Sequence, residues 1–206
     1  MSLQSFTHTF VPAEDPSKRP ILLLHRTGIS ETVMIPWAKQ LWPGAALLAP
    51  RGRILEDGRP RFFRRVGQAQ FDVADLRAQT DELNRFIDAA RDRYGLEAPI
   101  AVGHSNGANI AWSLMFSRPD ALSAAVLLRP LMPIEPEPVA PMNGFPVLVL
   151  SGSDDRVATP EAAAALPQRL RMAGAEVSHV FVRATHDLAA ADLEIGRAWL
   201  SNRFGS

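Results

Sequence analysis

Gly103-His104-Ser105-Asn106-Gly107 holds a serine between two glycines at GxSxG spacing, directly after the apolar run Ile100 to Val102 and before a stretch with helical periodicity. A serine on such a sharp strand-to-helix elbow has a strained backbone, and only very small residues two before and two after it let strand and helix close. The bare pattern arises by chance in about one chain of this composition in twenty, so its context must carry the weight. That context suits an exposed nucleophile. A serine hydroxyl attacks a carbonyl only when a histidine takes its proton and a carboxylate steadies the imidazolium, which directs attention to acids and histidines beyond Ser105.

Residues that do chemistry in alternating strand and helix architectures sit in loops after the strands. The run Val147 to Leu150 is followed by Ser151-Gly152-Ser153-Asp154-Asp155-Arg156, and Val177 to Val182 by Ala184-Thr185-His186-Asp187. Of five histidines, His8 lies in an edge-strand pattern, His25 ends the run Ile21 to Leu24, His104 adjoins the serine and points elsewhere, and His179 is inside a strand pattern. His186 is therefore the expected base. Spacing alone leaves Asp154 and Asp155 as equal candidates for the carboxylate, one of them serving only an Asx-type turn. The oxyanion formed on attack needs two donors. The N–H of Asn106 is one candidate, and the turn His25-Arg26-Thr27-Gly28 offers the other at Thr27.

Strand-length apolar runs at Ile21 to Leu24, Ala45 to Ala49, Ile100 to Val102, Ala124 to Leu128 and Val147 to Leu150 are unbroken, as strands buried on both faces require. Helical spacing is clearest from Asp72 to Tyr94, where Gly95 stops the run, and recurs over Asn106 to Phe116, Pro160 to Met172 and Leu188 to Leu200. The alternation predicts an α/β domain spanning 1–206, with a mostly parallel sheet covered by helices on both faces. Leu3 to Phe10 reads as an edge strand. Arg51 to Gln70, with Arg51, Arg53, Arg59, Arg61, Arg64 and Arg65 around Phe62 and Phe63, is too irregular for either period and reads as a long loop. Pro130 to Pro146 carries six prolines and reads as an extended connection.

The 206 residues contain 22 basic and 22 acidic side chains, so no net field favours nucleic acid or an acidic membrane. The zero cysteine count removes thiol nucleophiles, thiolate zinc sites and thiol redox chemistry. No two histidines stand at helical ligand spacing with an acidic partner, so a metal is not expected. No window approaches the roughly 18 apolar residues of a membrane span, and the opening residues lack a secretion signal, which makes the expected location cytoplasmic.

On the segments Leu23-Leu24-His25-Arg26-Thr27-Gly28, Pro50-Arg51-Gly52, Gly103 to Gly107, Gly152-Ser153-Asp154-Asp155 and His186-Asp187-Leu188, the chain resembles the α/β-hydrolase superfamily. Within it the resemblance is to the small phospholipase/carboxylesterase family, and Pro50-Arg51-Gly52-Arg53 with Phe62-Phe63-Arg64-Arg65 looks like its hydroquinone-inducible carboxylesterase branch. It covers about Pro20 to Leu200. The order Ser, Asp, His is the order of that superfamily. The resemblance implies Ser105, Asp155 and His186 as a catalytic triad, with the spacing after Gly152 selecting Asp155, and Thr27 with Asn106 as the oxyanion hole. It departs at Arg26, where the family usually has glycine, and at Arg156, where proline is common. A glycine at 26 would serve a positive φ or a close backbone approach, and Arg26 in such a place would distort the oxyanion loop.

The expected activity is hydrolysis of small carboxylic esters through an acyl-enzyme on Ser105, with no cofactor, in an open groove without a large cap domain. Arg26, Phe62 and Phe63 are the expected substrate-facing residues. The arginines of 51–70 could grip an anionic substrate group, but surface pairing with Glu56, Asp57, Asp72 and Asp75 is the favoured expectation. Thioester cleavage by the same triad is the alternative; a cysteine-dependent dienelactone hydrolase does not fit a chain without cysteine. From a different class comes a binding scaffold that lost its oxyanion loop through Arg26. Relatives of this kind are often dimers, and the zero net charge would not oppose a homodimer.

Overall fold

A computed structural model describes residues 3–67, 70–131 and 141–205. In chain order the elements are β1 (His8–Val11), β2 (Ile21–Leu24), α1 (Ile35–Leu41), β3 (Leu47–Pro50), β4 (Ile54–Glu56), β5 (Arg59–Arg61), α2 (Val73–Tyr94), β6 (Ile100–His104), α3 (Asn106–Ser117), β7 (Ala124–Leu128), β8 (Pro146–Gly152), α4 (Pro160–Ala164), α5 (Leu166–Met172), β9 (Glu176–Val182) and α6 (Ala190–Phe204). Seven strands form one sheet in the order β1-β3-β2-β6-β7-β8-β9. Only β1 runs antiparallel to its neighbour; the other neighbouring pairs are parallel.

The unbroken apolar runs are explained by burial on both sides. Leu22, Leu24, Ala101, Leu127 and Val149 enter a core under α2, α3 and α5, whereas the alternate residues Ile21, Leu23, Val102, Val126 and Leu150 enter a second core under α1 and α6. Helix α2 starts where the Asp72 carboxylate accepts the Asp75 N–H at 2.9 Å and stops at Gly95, whose φ of 66° is left-handed. Its Leu76, Leu83, Phe86 and Ile87 are fully buried, each contributing about 1.5–3 kcal/mol of apolar transfer.

Four local expectations change. The opening segment forms a short 3-10 turn at Leu3–Ser5 before the edge strand β1. Helix α1 has no counterpart among the sequence expectations, although Pro36 in its first turn is a start signal. The stretch Pro160 to Met172 is two helices, because Pro167 lacks the N–H and crowds the carbonyl that one continuous helix would need. The supposed loop 51–70 contains the hairpin β4–β5, turned by Asp57 and Gly58 with φ of 52° and 72°. Asp-Gly with both residues left-handed is the signature of a tight hairpin turn, and that signal was present in the sequence. Most of the proline-rich connection, 132–140, lies outside the described residues.

Candidate active site

Parallel order puts the carboxyl ends of β2, β6, β7, β8 and β9 along one rim of the sheet, and the candidate residues lie just beyond those ends. Ser105 follows β6 with φ 53° and ψ −113°, a left-handed conformation that costs a β-substituted residue on the order of 1–3 kcal/mol. The strain is held by packing. A Cβ on Gly103 would stand 2.5 Å from the Gly107 carbonyl oxygen, and one on Gly107 would stand 2.0 Å from that of Leu24. The Ser105 N–H is also fastened to the Leu128 carbonyl of β7 at 2.9 Å.

From the loops after β8 and β9 the chain supplies the partners. His186 Nε2 lies 2.8 Å from Ser105 Oγ, and His186 Nδ1 lies 2.8 Å from Asp155 Oδ2. The other Asp155 oxygen accepts the N–H groups of Val157 at 2.7 Å and Ala158 at 3.0 Å, so the buried carboxylate is fixed in one orientation. Asp154 is exposed, and its backbone N–H donates to the Ala184 carbonyl. Of the two adjacent acids, Asp155 is the one beside His186.

On the other side of the elbow, after β2, Thr27 and Asn106 border the same cavity as Ser105 and His186, and neither backbone N–H has an acceptor among the described residues. In the turn 25–28 the left-handed residue is Gly28, with φ 88°, and Arg26 stays outside that region. The Arg26 guanidinium reaches Asp187 at 3.1 Å. Three bonds tie this turn and the elbow to the arginine-rich segment. His25 Nδ1 donates to the Arg26 carbonyl, leaving His25 Nε2 to accept the Gly52 N–H; Gly28 N–H donates to the Pro60 carbonyl; and the Phe62 N–H donates to Asn106 Oδ1 at 2.7 Å. Burial lowers the His25 pKa, keeping the ring neutral in this acceptor role.

The cavity over Ser105 has a volume of about 270 Å³. Besides the residues named, it is bordered by Arg61, Arg65, Phe71, Asn109, Leu131 and Val157. Phe62 and Phe63 do not border it. Both rings are buried in the core with residues of α2 and α3, a correction to their expected substrate-facing place. Arg26 does border it. Most of the remaining arginines find the acids that surface pairing predicts, though not always the expected ones. Arg64 pairs with Asp75, but Arg51 takes Glu31 and Arg53 reaches Gln79 and Glu82, while Asp72 is spent on capping α2.

Of two groups that hold the His186 loop, Arg129 had no signal in the sequence, and His104 was legible only as the neighbour of Ser105 that points elsewhere. Arg129, left-handed at φ 52° just after β7, is fully buried and pairs with Asp192 of α6 through two 2.8 Å hydrogen bonds. The same guanidinium donates to the carbonyls of Thr185 at 2.9 Å and Asp187 at 3.3 Å, on either side of His186. His104 Nε2 donates to the carbonyl of His186 itself at 2.8 Å. Burial pushes the His104 pKa down to about 4, so the ring stays neutral at ordinary pH and serves as a donor rather than a base. Among the described residues no cluster of histidine and carboxylate ligands could hold a metal ion, and no helix is long and apolar enough to cross a membrane.

A sequence profile of the alpha/beta hydrolase fold matches residues 63–144. MhqD of Bacillus subtilis, which carries a hydrolase name, is 40% identical over 185 residues, covering 89% of this chain and 92% of its own. The chain belongs to the α/β-hydrolase family. Among solved structures, the carboxylesterase of Bacillus cereus superposes on this α/β hydrolase with a TM-score of 0.92 at 36% identity, over 96% of this chain and 94% of its own. The carboxylesterase of Mesorhizobium loti gives 0.91 at 32% identity, over 96% and 95%.

Proposed function

We propose that this α/β hydrolase is a serine carboxylesterase. The reading is carried by the hydrogen-bonded chain from Ser105 through His186 to Asp155, anchored on a strained elbow, and it is supported by the likeness to two carboxylesterases of more than 30% identity. Ser105 Oγ attacks the ester carbonyl carbon while His186 Nε2 takes its proton, and Asp155 holds His186 Nδ1–H throughout. The N–H groups of Thr27 and Asn106 receive the oxyanion. On collapse the C–O bond to the alcohol breaks, and His186 returns the proton to the departing oxygen. Water then attacks the acyl-enzyme by the same route, releasing the acid and restoring Ser105. No cofactor enters these steps.

Arg26 argues for turnover rather than for an inert scaffold, since it occupies its turn without a left-handed φ. The test is hydrolysis of a short neutral aryl ester, read beside labelling by an uncharged fluorophosphonate. Ser105→Ala is expected to lose labelling and on the order of 10⁴-fold or more in kcat. Hydrolysis that survives in Ser105→Ala overturns the reading, and matched thioesters measured in parallel place the enzyme between the two ester classes.

A further inference from the structure

Six arginines crowd the segment 51–65, yet two of them stand apart from the rest. Arg51, Arg53 and Arg64 point to acids away from the cavity over Ser105 and Arg59 does not border it, whereas Arg61 and Arg65 border it and, among the described residues, share one counter-ion, Glu56. Two guanidinium groups on one carboxylate leave one positive charge over. The third arginine of the cavity, Arg26, has Asp187 to itself, and the described lining contains no carboxylate.

Arg61 is the unusual member, because only 4% of its side chain is exposed. Its Nη1 donates to Glu56, while its Nε is buried with no acceptor among the described residues. A buried charged donor left without a partner is costly, and a folded protein retains one where something else completes it. Asn106, next to the nucleophile, repeats the pattern: its Oδ1 is used by Phe62, and its buried Nδ2 has no partner among the described residues. Two orphaned donors on residues that border one cavity, in a place with excess positive charge, describe a receptor for an anion. The guanidinium edge formed by Nε and Nη2 matches the two oxygens of a carboxylate.

We propose that this groove takes an ester bearing a second group that is a carboxylate, held by Arg61 and Arg65 while Ser105 attacks the ester carbonyl. The proposal rests on the serine esterase reading and adds the substrate class. The cavity volume of about 270 Å³ sets a small molecule, with a short chain between the two groups.

The test compares matched substrates by pH-stat. Monomethyl glutarate is set against methyl pentanoate for a carboxylate on the acyl side, and acetoxyacetate against propyl acetate for one on the alcohol side. One pair is expected to show a kcat/KM preference for the anion of about 10- to 100-fold, the worth of one charge-assisted hydrogen-bonded contact. Arg65→Gln lowers that ratio and Arg65→Glu inverts it, while Arg64→Glu, which alters an exposed charge outside the cavity, preserves it. Arg61→Gln is the stronger change, and the Arg65 variants decide the matter if that protein does not fold. Calorimetric binding of the preferred anionic ester to Ser105→Ala, lost on adding Arg65→Glu, reads the same site without turnover. Equal cleavage within both pairs, indifferent to Arg65→Glu, overturns the carboxylate site and leaves the esterase standing. Arg65-dependent binding with no cleavage of any ester overturns the esterase and leaves the anion site.

Discussion

The loop carrying His186 and the turn carrying Thr27 reach Ser105 from opposite sides of the elbow, and they are fixed by opposite means. The His186 loop is held from beneath by buried charge: Arg129 and Asp192 have no exposed side-chain surface, and the guanidinium spends its remaining donors on the carbonyls flanking the histidine and on that of Leu150 in β8. The Thr27 turn is held by bonds to backbone groups, the Gly28 N–H on the Pro60 carbonyl and the Gly52 N–H on the neutral His25 ring, while most of the nearby charges are half exposed. A buried ion pair is rigid in one geometry, because every alternative strands a charge in a poor dielectric. That suits a ring that must keep Nδ1 on Asp155 and Nε2 on Ser105. The bonds to backbone groups set the Thr27 turn without a buried ion pair beneath it, and the arginines that border the cavity, Arg26, Arg61 and Arg65, pair instead with Asp187 and Glu56.

This contrast predicts unequal penalties. Arg129→Met should cost about 3–5 kcal/mol in unfolding free energy by leaving Asp192 buried and unpaired, and should lower kcat as the His186 carbonyl supports disappear. The double variant Arg129→Met with Asp192→Leu should recover much of the stability but not the turnover; denaturant melts and kinetics on the same samples separate the two. Should the double variant regain full activity, the pair positions nothing.

Next in size is Gly107→Ala, whose Cβ would meet the Leu24 carbonyl oxygen at 2.0 Å. Backbone must move to admit it, so a loss on the order of 2–4 kcal/mol, or failure to fold, is expected in thermal melts.

A smaller effect tests the histidine side through pH. The folded pKa of His104, at about 4, lies below its unfolded value near 6.5, so the unfolded chain binds more protons between those limits. Its stabilising effect is complete above about pH 6.5 and is lost as pH falls towards 4, by at most about 3 kcal/mol. His25 and His179, also lowered by burial, push in the same direction. His104→Gln should flatten part of this slope in melts recorded from pH 7 to 4, and an unchanged slope would remove His104 as the cause.

The smallest effect belongs to the surface pairs on the turn side. Arg64→Ala, which removes an exposed partner of Asp75, should change stability by no more than about 1 kcal/mol. A loss comparable with that of Arg129→Met would erase the distinction between the two loops.

Much of the frame was legible because its signals are local. Continuous apolar runs gave the strands, with Ile21–Leu24 and Ala124–Leu128 matching residue for residue, and Asp72 and Gly95 bracketed the long helix. Ser105 and His186 stood out because the proposed nucleophile and base occupy loops next to readable strands. Asp155 was separated from Asp154 only through the family resemblance, and in the fold the difference is one of placement, since Asp155 is buried against His186 and Asp154 is exposed. The hairpin at 54–61 was missed although Asp57-Gly58 announced it, because its strands are three residues long and carry no alternation.

By itself the sequence determined the alternation of strand and helix, the strained elbow and the chain order of serine, acid and histidine, all of which depend on residues a few positions apart. Only the tertiary structure decided which charges are buried and which rings face the groove. Arg129 meets Asp192 across 63 positions, Arg61 is enclosed while Arg64 is not, and Phe62 and Phe63 turn into the core. Such outcomes are set by which distant surfaces pack together, and no local period or motif encodes them.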